Sequence, residues 1–132
     1  MYPPVLYAED EENDAFFMQD AWRHAGVPNP LVIVTDGDLA IAYLSGQAPF
    51  EDREKHPLPC LLLLDLALRQ KDEGFRVLEW VRSHPTLNNL KAVIVSGSEL
   101  QTDIARAEDL GITDYIVKPS APSRLAEILV ES

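Results

Sequence analysis

Short apolar segments alternate with amphipathic segments five times along this chain, and this alternation limits the folds it can adopt. Apolar runs of three to five residues are typical of strands buried on both faces, whereas apolar residues at helical spacing indicate helices. The predicted strands cover residues 5–8, 31–34, 60–64, 92–95 and 115–117. Predicted helices cover residues 13–25, 74–83 and 98–109, with a short helix ending near Gly46 and a last one through Leu125, Ile128 and Leu129. Such alternation predicts a doubly wound α/β fold, with one parallel sheet between two layers of helices.

Two helix starts carry capping signals. Asp36 or Asp38 is placed to cap the second helix, because a short carboxylate accepts hydrogen bonds from the first free amides of a helix. Residues 98–101 read Ser-Glu-Leu-Gln, which is the pattern of a capping box. We therefore expect the fourth helix to begin at Ser98.

The size and charge of the chain exclude several functions. Its 132 residues suit one domain, and its net charge of −11 argues against direct binding of nucleic acid or anionic membrane. Apolar runs of about five residues are far too short to cross a bilayer, and no signal peptide is recognisable, so a cytoplasmic location is expected. The single cysteine, Cys60, permits no intrachain disulfide and opens an apolar run, which predicts a buried thiol.

Polar residues follow four of the predicted strands at the point where each strand ends. Glu9 and Asp10 follow the first strand, Asp65 the third, Ser96 the fourth and Lys118 the fifth. Carboxyl ends of parallel strands meet at one edge of a sheet, so these side chains should converge. Clustered carboxylates repel one another unless a cation lies between them, and ligands that offer only oxygen favour Mg²⁺.

The same set suits the chemistry of phosphoryl transfer. A carboxylate can attack phosphorus to give an aspartyl phosphate, and Asp65 is the best placed for this because it follows the most apolar strand. Lys118 and Ser96 could then contact the phosphoryl oxygens. Taken singly, each residue also has a structural explanation: a solvated acidic turn, a turn serine, a surface lysine. Their joint placement at four strand ends favours a site.

Four segments of the chain resemble the signature segments of response-regulator receiver domains of two-component signalling. They are residues 5–11 (VLYAEDE), 63–66 (LLDL), 94–97 (IVSG) and 115–119 (YIVKP). The resemblance extends from residue 5 to about residue 130, with the segments in the same order and spacing. It implies a flavodoxin-like fold with five parallel strands in the order 2-1-3-4-5. It also implies that residues 1–132 are a single receiver domain without an output domain.

The resemblance assigns roles around the phosphoacceptor. Asp65 corresponds to the aspartate that is phosphorylated. Glu9 and Asp10 correspond to the acidic pair that holds Mg²⁺ together with Asp65, and the backbone carbonyl of Ala67 corresponds to a further ligand.

Three further positions correspond to groups that bind the phosphoryl group and signal its arrival. Ser96 and Lys118 correspond to the hydroxyl and ammonium groups that contact it. Tyr115 corresponds to the aromatic switch that turns inward when the hydroxyl moves, although by itself it also suits a core position. Pro119 corresponds to a proline that follows a cis peptide bond in that family.

The loop after Asp65 departs from the family pattern. Receivers usually have a proline four residues after the phosphoacceptor and a glycine eight residues after it. Here Arg69 occupies the first position, and Gly74 lies nine residues after Asp65. The loop is thus expected to be one residue longer, next to the carbonyl of Ala67, with added positive charge from Arg69 and Lys71.

The resemblance implies a response regulator rather than an enzyme with turnover. It would take a phosphoryl group from a histidine kinase or a phosphotransfer protein and act through protein contacts, including pairing with a second copy. Three stretches are similar to stand-alone receivers that partner cyanobacterial phytochromes: residues 13–30, the loop that ends with residues 56–59, and residues 78–82. One alternative is a receiver-fold interaction module that signals without phosphate. Another is a phosphohydrolase, which would need an acid two residues after the nucleophile, where this chain has Ala67.

Overall fold

A computed structural model describes residues 2–66, 68, 72–98 and 100–118 of the chain. These residues form five strands and four helices. In chain order they are β1 Val5–Ala8, α1 Glu12–His24, β2 Leu31–Val34, α2 Gly37–Ser45, β3 Leu61–Leu64, α3 Glu73–Ser83, β4 Lys91–Ser96, α4 Gln101–Asp109 and β5 Asp114–Val117. The predicted last helix and Pro119 lie outside the described residues.

The five strands form one parallel sheet in the order β2-β1-β3-β4-β5. The predicted flavodoxin-like topology is therefore confirmed. Every residue of β1 and β3 is buried, as expected for the central strands of a sheet covered on both faces.

Alternating residues of the central strands supply two apolar cores on opposite faces of the sheet. Leu6 and Leu62 belong to the core that also contains residues of α2 and α3. Tyr7 and Leu63 belong to the other core, which contains Met18 of α1. Side chains in a strand alternate between faces, so four-residue runs such as Leu61–Leu64 have to be apolar throughout.

Of the two helix starts predicted from capping signals, only one is confirmed. Asp36 caps α2, with its side chain accepting a hydrogen bond from the amide of Leu39 at 2.8 Å. The fourth helix begins at Gln101, so its predicted start at Ser98 was wrong. Ser98 makes a turn instead, accepting from the Leu100 amide and donating to Asp103 at 2.7 Å.

Cys60 is only half-buried, so the prediction of a buried thiol was wrong in degree. The residue lies just before β3, where its Sγ is 3.7 Å from Nδ2 of Asn29 at the edge of the core. No helix in the described part of the chain has the length and apolar character needed to cross a membrane.

Candidate functional site

Hydrogen bonds that continue the sheet ladder hold the residues just past the strands. The amide of Glu9 donates to the carbonyl of Val34 at 2.9 Å, and the amide of Asp65 donates to that of Ala8 at 3.2 Å. The amide of Lys118 likewise donates to the carbonyl of Ser96 at 2.8 Å. These side chains are therefore carried on the rigid edge of the sheet.

Three carboxylates meet at this edge. Glu9, Asp10 and Asp65 each offer an oxygen atom, and the three atoms lie within 4.8 Å of one another. Glu9 and Asp65 are buried, with 1% and 5% of their surface exposed, whereas Asp10 is open to solvent. A cluster of oxygen ligands with one open side fits Mg²⁺, which keeps several of its waters and takes one or two carboxylates from a protein. The cluster therefore suits a hard divalent cation.

The ammonium group of Lys118 lies among three carboxylates. Its Nζ is 2.7 Å from Oε1 of Glu9, 2.9 Å from Oδ2 of Asp65 and 2.8 Å from Oδ2 of Asp14. Burial lowers the pKa of Lys118, but hydrogen bonds to Asp14, Glu9 and Asp65 outweigh burial and raise that pKa above its ordinary value. Lys118 is thus a permanent cation beside Asp65.

The carboxyl group of Asp65 has a raised pKa. Burial raises the pKa of its carboxyl from 3.8 to about 6, with the Lys118 hydrogen bond opposing the rise and the nearby Glu9 adding to it. At neutral pH the carboxyl is therefore mostly ionised but poorly solvated. A desolvated carboxylate beside a fixed cation can act as a nucleophile.

Tyr7 supports the buried carboxylate of Glu9. The hydroxyl of Tyr7 donates to Oε1 of Glu9 at 2.7 Å, and the amide of Glu11 reaches Oε2 at 3.3 Å. Burial, together with the hydrogen bond and charge of Glu9, raises the pKa of Tyr7 far above its ordinary value, so the hydroxyl keeps its proton and stays a donor. Tyr7 thereby supplies a hydrogen bond to a carboxylate oxygen that is buried away from water.

Ser96 and Tyr115 form an adjoining group on β4 and β5. Ser96 is buried, and its Oγ accepts a hydrogen bond from the amide of Ser98 at 3.2 Å. The hydroxyl of Tyr115 donates to the carbonyl of Ser98 at 2.9 Å. Burial raises the pKa of Tyr115, which keeps this hydroxyl protonated. The two residues are thus linked through one turn at the end of β4.

Gly74 packs directly behind Asp65. Its amide donates to the carbonyl of Leu66 at 3.0 Å, and a Cβ added at this position would lie 2.3 Å from the carbonyl oxygen of Asp65. A side chain cannot be accommodated there without moving the backbone that carries Asp65. The other positions of this loop singled out by the sequence, Ala67, Arg69 and Lys71, lie outside the described residues.

The structure therefore brings Glu9, Asp10, Asp65 and Lys118 together, and it adds two residues that the sequence analysis did not assign to the site. Tyr7 lies two residues before Glu9, and the alternation of side chains along an extended chain could have placed both on one face. Asp14 comes from the first turn of α1, and its contact with Lys118 depends on how that helix packs.

Fold and site together define a class of protein: a doubly wound α/β domain with an acidic cluster and a lysine at the carboxyl edge of its sheet. The sequence model described as "Response regulator receiver domain" matches residues 5–130. The chain belongs to this family and is a receiver-domain response regulator of two-component signalling.

Similar proteins include phytochrome response regulators. The chain is 31% identical over 118 residues to response regulator Rcp1 of Synechocystis sp., covering 88% of this chain and 78% of that protein. The crystal structure of the phosphorylated cyanobacterial phytochrome response regulator RcpA has a TM-score of 0.80 at 33% identity, covering 98% of this chain and 89% of RcpA. The crystal structure of the Mn²⁺-bound form of Rcp1 has a TM-score of 0.79 at 28% identity, covering 96% of this chain and 88% of that chain.

Proposed function

We propose that Asp65 accepts a phosphoryl group from a histidine kinase or a phosphotransfer protein in a Mg²⁺-dependent reaction. The observation that carries this proposal is the position of Asp65, which is buried between an acidic pair and the ammonium group of Lys118. The domain then signals through contacts with other proteins. It is a phosphoacceptor and not an enzyme with turnover on external substrates.

In the proposed reaction, an Oδ atom of Asp65 attacks the phosphorus of a phosphohistidine. A P–O bond forms and the P–N bond breaks, with the electron pair leaving on the imidazole nitrogen of the donor. Lys118 lies 2.9 Å from Oδ2 of Asp65, where its charge can balance the negative charge on the transferred oxygens. Subsequent attack by water would return free phosphate and the carboxylate.

Mg²⁺ would be held by Glu9, Asp10 and Asp65, together with the backbone carbonyl of Ala67 that the family resemblance assigns to it. When bound, the cation neutralises the charge on the phosphoryl oxygens. This chain's own contribution is to hold the carboxylates close together at the edge of the sheet. The hydrogen bond from Tyr7 to Glu9 and the ladder bonds of the Glu9 and Asp65 amides support that role.

Ser96 and Tyr115 are proposed to couple the binding of the phosphoryl group to a change at the protein surface. The buried hydroxyl of Ser96 would donate to a phosphoryl oxygen. In the structure, Tyr115 is tied to the same turn through its bond to the carbonyl of Ser98. A shift of Ser96 would release this turn, and Tyr115 would follow, which would alter the face made by α4 and β5.

We further propose that the phosphodonor is a phytochrome-like histidine kinase in the cytoplasm. The support is that relatives at 31% and 33% identity are response regulators that include the phytochrome response regulator RcpA. Output would then be by protein contact, including pairing of two copies through the α4–β5 face.

The proposed function is tested by incubating the chain with Mg²⁺ and phosphoramidate, followed by intact-mass measurement. We expect the mass of one added phosphoryl group on the wild type, none on Asp65→Asn, and full modification of Glu51→Gln, an exposed carboxylate in the loop before β3. Chelation of Mg²⁺ should prevent the modification. Equal modification of Asp65→Asn would refute Asp65 as the acceptor. Failure to modify the wild type would refute the proposed function and favour a module that signals without phosphate.

A further inference from the structure

The lysine of the site is shared with a residue outside the acidic cluster. Asp14 lies in the first turn of α1, and its Oδ2 is 2.8 Å from Nζ of Lys118. The side chain of Asp14 is 43% exposed, whereas those of Glu9 and Asp65 are 0% and 7% exposed. Asp14 is therefore the most accessible of the three partners of Lys118.

The three contacts use the full donor capacity of the ammonium group. A lysine ammonium has three N–H donors, and Lys118 meets three carboxylates within 2.9 Å. A phosphoryl oxygen on Asp65 can accept from Lys118 only if one of these contacts is given up or shared. Of the two partners other than Asp65 itself, Asp14 costs less to release, because water can solvate its half-exposed carboxylate, whereas buried Glu9 would lose its countercharge.

Resting on the proposed function, we infer that Asp14 is a positioning residue that holds Lys118 back in the unphosphorylated site. Lys118 leaves Asp14 for a phosphoryl oxygen when Asp65 is modified. Asp14 therefore weakens the binding of a phosphoryl group. It also eases the binding of the cation, since it draws the ammonium charge away from Glu9 and Asp65.

The first test measures the affinity for beryllofluoride, a phosphoryl mimic, by calorimetry at saturating Mg²⁺. Asp14→Asn should bind it about two- to fivefold more tightly than the wild type, the range expected from the loss of a half-exposed ion pair. Glu12→Gln is the matched control, because Glu12 is an exposed acid in the same first turn of α1. The control should change the affinity less than twofold, and Asp14→Ala should reproduce the gain.

The second test measures the affinity for Mg²⁺ alone, without any phosphoryl mimic. Asp14→Asn should bind Mg²⁺ more weakly than Glu12→Gln does, because Lys118 then remains fully on Glu9 and Asp65. Both variants lose one negative charge, so the difference between them reports the position of the lysine. A merely structural role for Asp14 would weaken both ligands together, whereas the inferred role moves the two affinities in opposite directions.

The outcomes separate this inference from the proposed function. If the wild type binds Mg²⁺ but not beryllofluoride, the proposed function fails and this role of Asp14 fails with it. If the wild type binds both ligands and Asp14→Asn matches Glu12→Gln for both, the function stands and only the role of Asp14 is refuted. Weaker binding of beryllofluoride by Asp14→Asn would also refute it.

Discussion

Replacing Asp65 with asparagine should stabilise the metal-free protein at neutral pH. Asp65 is 5% exposed, and its burial raises the pKa of the carboxyl from 3.8 to about 6 despite the contact with Lys118. One pKa unit corresponds to about 1.4 kcal/mol, so the ionised carboxylate lowers the free energy of unfolding by about 3 kcal/mol. Asparagine keeps the shape without the charge but loses the ion pair with Lys118. We expect Asp65→Asn to raise the free energy of unfolding by about 1–3 kcal/mol.

The sign of the pH dependence follows from the raised pKa. The folded state holds the Asp65 proton more tightly than the unfolded state, whose carboxyl titrates near 3.8. The stability that the protonated form supplies is complete below that value and is lost as the pH rises through about 6. The advantage of Asp65→Asn should therefore be small at about pH 4 and reach its maximum above about pH 7.

The assay is urea unfolding in the presence of a chelator, followed by tryptophan fluorescence at several pH values. Glu51→Gln is the control for the loss of one negative charge, and this exposed position should change stability by less than about 0.5 kcal/mol. Mg²⁺ should reduce the advantage of Asp65→Asn, because a cation that binds only the folded state adds stability to the wild type. An Asp65→Asn protein that is no more stable than the wild type at neutral pH, or equally favoured at about pH 4, would refute the reasoning.

Two further substitutions test the surroundings of the site. Tyr7→Phe removes a buried hydrogen bond to Glu9 and should lower the free energy of unfolding by about 1–2 kcal/mol in urea titrations, where an unchanged value would contradict the support of Glu9 by this hydroxyl. Gly74→Ala places a Cβ 2.3 Å from the carbonyl of Asp65 and should lower the thermal midpoint by the equivalent of about 2 kcal/mol or more. Gly97→Ala meets nothing within 4 Å and serves as its control; equal losses would exclude the steric explanation.

The positions of the strands could be predicted because burial on both faces leaves a local signal. A central strand has no polar face, so an unbroken run such as Leu61–Leu64 marks both its place and its length. The start of α4 could not be predicted in the same way. Ser98 and Gln101 have the spacing of a capping box, but Ser98 is used in the turn after β4, where it bonds to Leu100 and Asp103. A local sequence motif therefore mispredicts a helix start when its side chain is used in a hydrogen bond of a neighbouring turn.

The acidic residues of the site also divide into those that could be predicted from the sequence and one that could not. Glu9 and Asp65 could be predicted because the topology alone brings the ends of β1 and β3 together. Asp14 could not, because its contact with Lys118 joins residues 104 positions apart and depends on the packing of α1 against the sheet. In the sequence, Asp14 is indistinguishable from Glu12, its neighbour in the same turn, which remains exposed to solvent.

The charges of the described site also explain why a phosphoryl group would require a cation there. Glu9, Asp14 and Asp65 contact the ammonium group of Lys118, and Asp10 lies beside Glu9 and Asp65. Four negative charges and one positive charge give −3 when all are ionised. An acyl phosphate on Asp65 replaces one carboxylate charge with about two phosphoryl charges, which makes the balance more negative. Lys118 cannot offset this alone, since it is already committed to three carboxylates. A divalent cation would offset the added charge, and the release of Lys118 by Asp14 would free the ammonium group to contact the phosphoryl oxygens.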